Sequence, residues 1–132
     1  MNDQQRALAR TCLAAAEHGT MTFPQSVGAL QRAGFESYAV DFRRATATYY
    51  LPDGASLDLP MPSPGPVAAA FDRDALQAAI REVQQLVPGY GYRGFCAKTA
   101  AAGCAGYLVS FSGRRVLYLG RTAETHVERF PD

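Results

Sequence analysis

Leu8, Cys12 and Ala15 fall at helical intervals within an alanine-rich stretch that Asp3 can cap and Gly19 can stop, and this spacing predicts a helix over 3–18. Thr22-Phe23-Pro24-Gln25 has the Thr-x-x-Gln spacing in which hydroxyl and amide satisfy each other's backbone donors, with proline in the first turn, where a missing N–H costs nothing. Phe23, Val27 and Leu30 make one apolar stripe, and Gly34 ends the second helix because a residue without Cβ can close its last turn left-handed. From Ser37 the period drops to two. Tyr38, Val40 and Phe42 alternate with Asp41 and Arg43 as a half-buried strand, Thr46–Leu51 makes a second, Pro52-Asp53-Gly54 a turn, and Ser56–Leu59 a third.

Pro60, Pro62, Pro64 and Pro66 cannot join a ladder and read as an extended surface linker over 60–66. Beyond it, Asp72 is placed as a cap, Phe71 and Leu76 as a hydrophobic staple, and Leu76, Ile80, Val83 and Val87 as a helical stripe that stops at Pro88-Gly89. A short helix over 92–102 ends at Gly103. Tyr107, Val109 and Phe111 then alternate as a strand, Ser112-Gly113 turns, Val116–Leu119 returns, and Thr125–Phe130 closes the chain.

The two halves repeat the same order. A gapless shift of 69 residues lays Ala33, Gly34, Tyr38, Val40, Phe42 and Tyr49 on identical residues at 102, 103, 107, 109, 111 and 118, and also sets Asp3 on Asp72. Either a duplication or a shared local grammar of helix, glycine, strand and turn accounts for the matches. The expectation is one α+β domain over 1–132. It comprises tandem α-α-β-β-β units at 3–60 and 72–129, with helices packed on one face of antiparallel sheet.

Composition narrows the function classes. With 132 residues and 48% apolar content, the chain can bury a core without staples. Its 13 basic and 12 acidic residues leave a net charge of +1, too little to hold a nucleic-acid backbone by counterion release. The aromatic residues show no single-strand stacking pattern. No apolar run approaches the roughly 20 residues of a membrane-spanning helix, and the polar start at Asn2-Asp3-Gln4-Gln5 is unlike a secretory leader. Three cysteines without a CxxC pair fit reduced thiols and a cytoplasmic setting.

Chemistry is sparse. Gly89-Tyr90-Gly91-Tyr92-Arg93-Gly94 matches the GxGxxG string, but it follows a helix instead of a strand and lacks the acid expected about 20 residues on, so no cofactor is implied. His126 and Glu128, two apart on a strand, project from one face as an acid–base or ligand-binding pair where the first unit has Leu57 and Leu59. A C-terminal edge strand with a solvated polar face is the simpler explanation of them. His18 is the one other histidine and no metal site is expected. Cys96 and Cys104 invite a Cys–His nucleophile but sit where small core residues belong. Among twelve arginines, Arg43-Arg44 and Arg114-Arg115 lie at hairpins and Arg121 follows. Such pairs grip anions, or simply solvate hairpin tips. Tyr49 and Tyr118 are equivalent in the two units, as pocket walls or as cross-strand packing.

Residues 102–107 (Ala-Gly-Cys-Ala-Gly-Tyr), Gly113-Arg114-Arg115, Tyr118, Gly120-Arg121, His126-Val127-Glu128 and Phe130-Pro131 resemble the C-terminal signature of the YdfO-like family. Phe23-Pro24, Gly34, Tyr38, Asp41, Tyr49-Tyr50 and Pro52-Asp53-Gly54 resemble its N-terminal half. These are small bacterial and prophage-encoded proteins, some labelled phage envelope protein. The resemblance implies an α+β domain and a prophage context, with no activity and no catalytic residues to carry over. The expectation is therefore a non-catalytic binding or regulatory module. Its site is Tyr118, Arg121, His126 and Glu128, with Arg114 and Arg115 at the rim, and it would take a protein or a small anionic ligand. The competing expectation is a small enzyme with His126 as base, tuned by Glu128, and Tyr118 or Arg121 stabilising negative charge. An exposed edge strand would also permit a homodimer.

Overall fold

A computed structural model describes residues 1–85 and 91–131. Asp3–His18 form α1 and Phe23–Arg32 α2, followed by β1 (Ser37–Asp41), β2 (Thr46–Tyr50) and β3 (Ser56–Pro60). The order then recurs as α3 (Arg73–Gln85), α4 (Tyr92–Ala101), β4 (Cys104–Ser110), β5 (Arg115–Gly120) and β6 (Thr125–Arg129). The predicted stop of the third helix at Val87-Pro88-Gly89 lies outside the described residues.

Local chemistry sets the boundaries. Thr22 and Gln25 cap α2 reciprocally, as their spacing predicts. The cap of α1 is Asn2 and not Asp3: Asn2 Oδ1 accepts from the Gln5 N–H at 2.8 Å, and Gln5 Oε1 accepts from the Asn2 N–H at 3.0 Å. Asp3 belongs to the first turn, where its charge complements the helix dipole. Asp72 caps α3 by accepting from the Ala75 N–H at 3.0 Å. Pro60, expected to open the linker, is instead the last residue of β3, which tolerates it because β3 is an edge strand.

All six strands form one antiparallel sheet in the order β3-β2-β1-β4-β5-β6. The halves join at β1 and β4, where Ala39 stands opposite Leu108, with Ser37 opposite Ser110 and Asp41 opposite Gly106 on either side. Positions 39 and 108 are 69 apart, so a local two-fold axis passes through this pair. The same offset carries α2 onto α4 and β3 onto β6 end to end. It also carries the left-handed residues Gly34, Ala45 and Gly54 (φ 104°, 49° and 92°) onto Gly103, Arg114 and Ala123 (φ 90°, 51° and 70°).

Because strand side chains alternate, the register sorts every residue to one of two faces. One face carries the cross-strand rows Leu57–Tyr49–Tyr38–Val109–Val116–Glu128 and Leu59–Ala47–Val40–Tyr107–Tyr118–His126. Nearly all of these side chains are buried beneath the helices with Leu30, Leu76, Ile80 and Phe95. Within this layer Tyr38 stacks on Tyr49 at 5.2 Å between ring centroids, and Tyr107 lies 5.6 Å from Tyr118. Burying each large apolar side chain contributes about 1.5–3 kcal/mol, so this layer holds the two halves together as one α+β domain.

Candidate functional site

His126 and Glu128 close the two rows of the covered face at the β6 edge. The solvated-edge expectation therefore fails for His126: β6 is an edge strand, but this ring faces inward and is only 9% exposed. Its Nε2 lies 3.3 Å from Glu128 Oε2, and its Nδ1 lies 3.4 Å from Arg73 Nη1 at the start of α3. A guanidinium only donates, so Nδ1 is the acceptor and the neutral ring carries its proton on Nε2, donating to Glu128. The second Glu128 oxygen accepts from Gln84 Nε2 at 3.3 Å. Arg73 Nη1 also donates to the Thr125 carbonyl at 2.9 Å. Both ring nitrogens are thus engaged within the fold, and Arg73 and Gln84, neither marked by any motif, complete the cluster.

Tyr118 sits directly opposite His126, ring centroids 6.2 Å apart, and burial pushes its phenol well above the ordinary tyrosine range. Tyr38, Tyr49 and Tyr107 are raised for the same leading reason. The structure therefore gathers His126, Glu128 and Tyr118 but leaves the arginines elsewhere. Arg121 lies in the β5–β6 turn and donates to the Val67 carbonyl at 3.3 Å, pinning the linker. Arg114 lies in the β4–β5 turn, donates to the Pro131 carbonyl at 3.1 Å and lies over the Phe130 ring at 5.8 Å. Arg115 points to the opposite face of the sheet from His126. The six therefore do not share one face of the sheet.

The cysteines belong to the core. Cys12, Cys96 and Cys104 are all buried and unbridged. Burial pushes the Cys96 thiol up to about 12, only partly offset by its hydrogen bond with Tyr92, and raises Cys12 and Cys104 as well. Such thiols are poor nucleophiles near neutral pH. Among the described residues no three His, Cys, Asp or Glu side chains meet in a way that could hold a metal ion. In the GxGxxG string, Gly91 caps α4 and Gly94 lies within it, while positions 89 and 90 fall outside the described residues. A hollow of about 130 Å³ lies between the linker at Met61–Pro64 and the Glu17, Tyr92 and Cys96 side chains. A second hollow, about 430 Å³, borders α2 from Met21 to Arg32.

The other face of the sheet reads as three cross-strand rows. They are Ser56–Tyr50–Ser37–Ser110–Arg115–Arg129, Asp58–Thr48–Ala39–Leu108–Leu117–Val127 and Pro60–Thr46–Asp41–Gly106–Leu119–Thr125. The β1–β3 half is polar. The β4–β6 half carries Leu108, Leu117, Leu119 and Val127 together, and Leu108, Leu119 and Val127 are 37%, 39% and 45% exposed. These residues carry no motif, but the alternation that buries Tyr107, Val109, Val116 and Tyr118 already forces their neighbours outward. The sequence signal was thus present in residues ordinarily assigned to a core.

No protein-family model matches the chain, and no curated protein matches its sequence. No described helix is long and apolar enough to cross a membrane.

Proposed function

We propose that this chain is a non-catalytic binding module that engages a protein partner through the open face of β4, β5 and β6. The observation that carries this reading is the row Leu108–Leu117–Val127 with Leu119 beside it, apolar side chains set in register on the uncovered side of the sheet. Contiguous exposed apolar surface of this kind is costly to hydrate and marks contact sites on soluble proteins. His126 and Glu128 support this reading over the enzymatic one. With Nδ1 turned to Arg73 and Nε2 to Glu128, neither nitrogen is directed at a substrate, and the cluster ties α3 to the edge strand. The bacterial or prophage origin that the YdfO-like resemblance implies, and a cytoplasmic setting, would favour a host or phage protein as the partner.

Selection from a random peptide display library, with the whole chain as bait, tests this reading. Peptides recovered on the wild type should lose binding to Val127→Asp at least tenfold and bind a His126→Leu/Glu128→Leu double variant as before. This double variant copies Leu57 and Leu59 of the first half, and replacing both the buried His126 and the half-buried Glu128 by apolar groups, which leaves neither partner unpaired, is close to neutral for folding. Loss of binding in the double variant, with Val127→Asp unaffected, would move the site under α3 and overturn the reading.

A further inference from the structure

The open-face reading leaves the chemistry of the partner unstated, and charge on the same face supplies it. Among the outward residues of β4, β5 and β6, Arg115 and Arg129 are the charged ones, and they stand directly opposite each other across the β5–β6 ladder. Like charges in directly opposed positions destabilise a sheet. Among the described residues neither guanidinium meets a carboxylate; Arg115 Nε donates to the Gly113 carbonyl at 3.0 Å. The outward carboxylates, Asp41 and Asp58, belong to β1 and β3. The face is therefore polarised, with an apolar strip and an arginine pair that meets no carboxylate among the described residues on one half, and threonines, serines and two aspartates on the other.

Resting on the reading above, we infer that the β4–β6 face selects acidic polypeptide segments whose carboxylates lie beside apolar side chains. The apolar strip fills with the segment's hydrophobic residues, and the arginine pair, held at the end of the strip, accepts one or two carboxylates in the bidentate geometry that guanidinium favours. A second copy of this chain is the poorer occupant. An isologous contact brings the same half against itself, so it would set four guanidiniums around one apolar patch and supply no carboxylate from the outward side of the strands in contact. Docking onto a copy's β1–β3 half would supply Asp41 and Asp58 but would set the leucines against Thr46, Thr48 and Asp58.

Two synthetic peptides of equal length and leucine content, one with glutamate and one with lysine at every polar position, separate these cases by fluorescence anisotropy with the whole chain. The glutamate peptide should bind at least tenfold tighter than the lysine peptide. Arg115→Glu/Arg129→Glu should abolish or reverse that preference, and Val127→Asp should weaken binding of the glutamate peptide. Circular dichroism melts of each variant confirm that the fold is retained. Equal affinity for the two peptides, both lost in Val127→Asp, would overturn the acidic preference while leaving the open-face site intact. Binding insensitive to Val127→Asp, or none up to millimolar concentration, would overturn both. A concentration-dependent dimer by light scattering that Val127→Asp dissociates would assign the face to a second copy. Binding to phosphatidylglycerol vesicles with neither peptide bound would assign it to a lipid surface.

Discussion

At the scale of single residues, the same amino acid types serve opposite ends depending on which way the strand alternation turns them. His126 and Glu128 form a polar pair in the sequence that looks like chemistry, and the position of His126 opposite Tyr118 follows directly from strand periodicity. Its partners did not follow, because Arg73 lies 53 residues away and reaches it only through the packing of α3. The aromatic layer has a clearer consequence. Tyr38, Tyr49, Tyr92, Tyr107 and Tyr118 and the three thiols are neutral acids whose folded pKa values are raised by burial. A raised acid holds its proton more tightly when folded, so its contribution is complete below the unfolded pKa and is lost as pH climbs toward the folded value. The unfolded values are about 8.5 for cysteine and about 10 for tyrosine. The melting temperature should therefore hold steady between pH 7 and 8 and fall progressively above pH 9. Phenolate absorbance from these five buried tyrosines should appear together with unfolding, and not before it. Ionisation of these five in the native state near pH 10 would contradict the buried layer.

At the scale of elements, the helix-to-strand junctions are the most demanding points, and the repeat supplies its own control. Gly34 and Gly103 stand at matching ends of α2 and α4, both left-handed with φ of 104° and 90°. A Cβ at Gly34 would meet only the Gln5 side chain at 3.4 Å, whereas at Gly103 it would lie 2.1 Å from the Ala70 carbonyl oxygen in the segment that runs from the linker to α3. Left-handed backbone alone costs an alanine about 1–2 kcal/mol. Gly34→Ala should lose about that much by urea unfolding. Gly103→Ala should lose clearly more, because the linker must move away and break the Asp72 N–H to Ala102 carbonyl bond of 2.7 Å. Equal losses would contradict the close approach of the linker. Both glycines are legible in the sequence as helix stops; their unequal surroundings are not, since the linker's path depends on tethers at Val67, Ala68 and Asp72. The edge strands show the same division. Pro60 reads as a ladder breaker, and it ends β3 on the free edge, while the capping of the Thr125 carbonyl by Arg73 on the other edge emerges only in three dimensions.

For the whole molecule, the offset of 69 residues organises more than element order. It sets the β1–β4 seam on a local two-fold axis and gives both halves the same covered face, with Tyr38 and Tyr49 answered by Tyr107 and Tyr118. The α+β class, the ten elements and the helix-covered sheet were legible because hydrophobic period, caps and glycine stops agree throughout the chain. The site was less legible. A leucine facing solvent and a leucine facing the core look alike in one dimension, and only the placing of all four helices on one side separates Leu108 from Val109. The two halves differ most on the open face, where Ala39, Thr48 and Asp58 of one row give way to Leu108, Leu117 and Val127. That asymmetry, imposed on an otherwise matching frame, distinguishes the β4–β6 face from its counterpart. The most direct test is a methyl NMR titration of the isotope-labelled chain with a peptide selected on the wild type. The largest shift changes should fall on Leu108, Leu117, Leu119 and Val127, with Leu57, Leu59 and the hollow beside Met21 unmoved. Largest changes at Met21 or Met61, or at methyls packed beside His126 with Val127 unchanged, would contradict the open-face site.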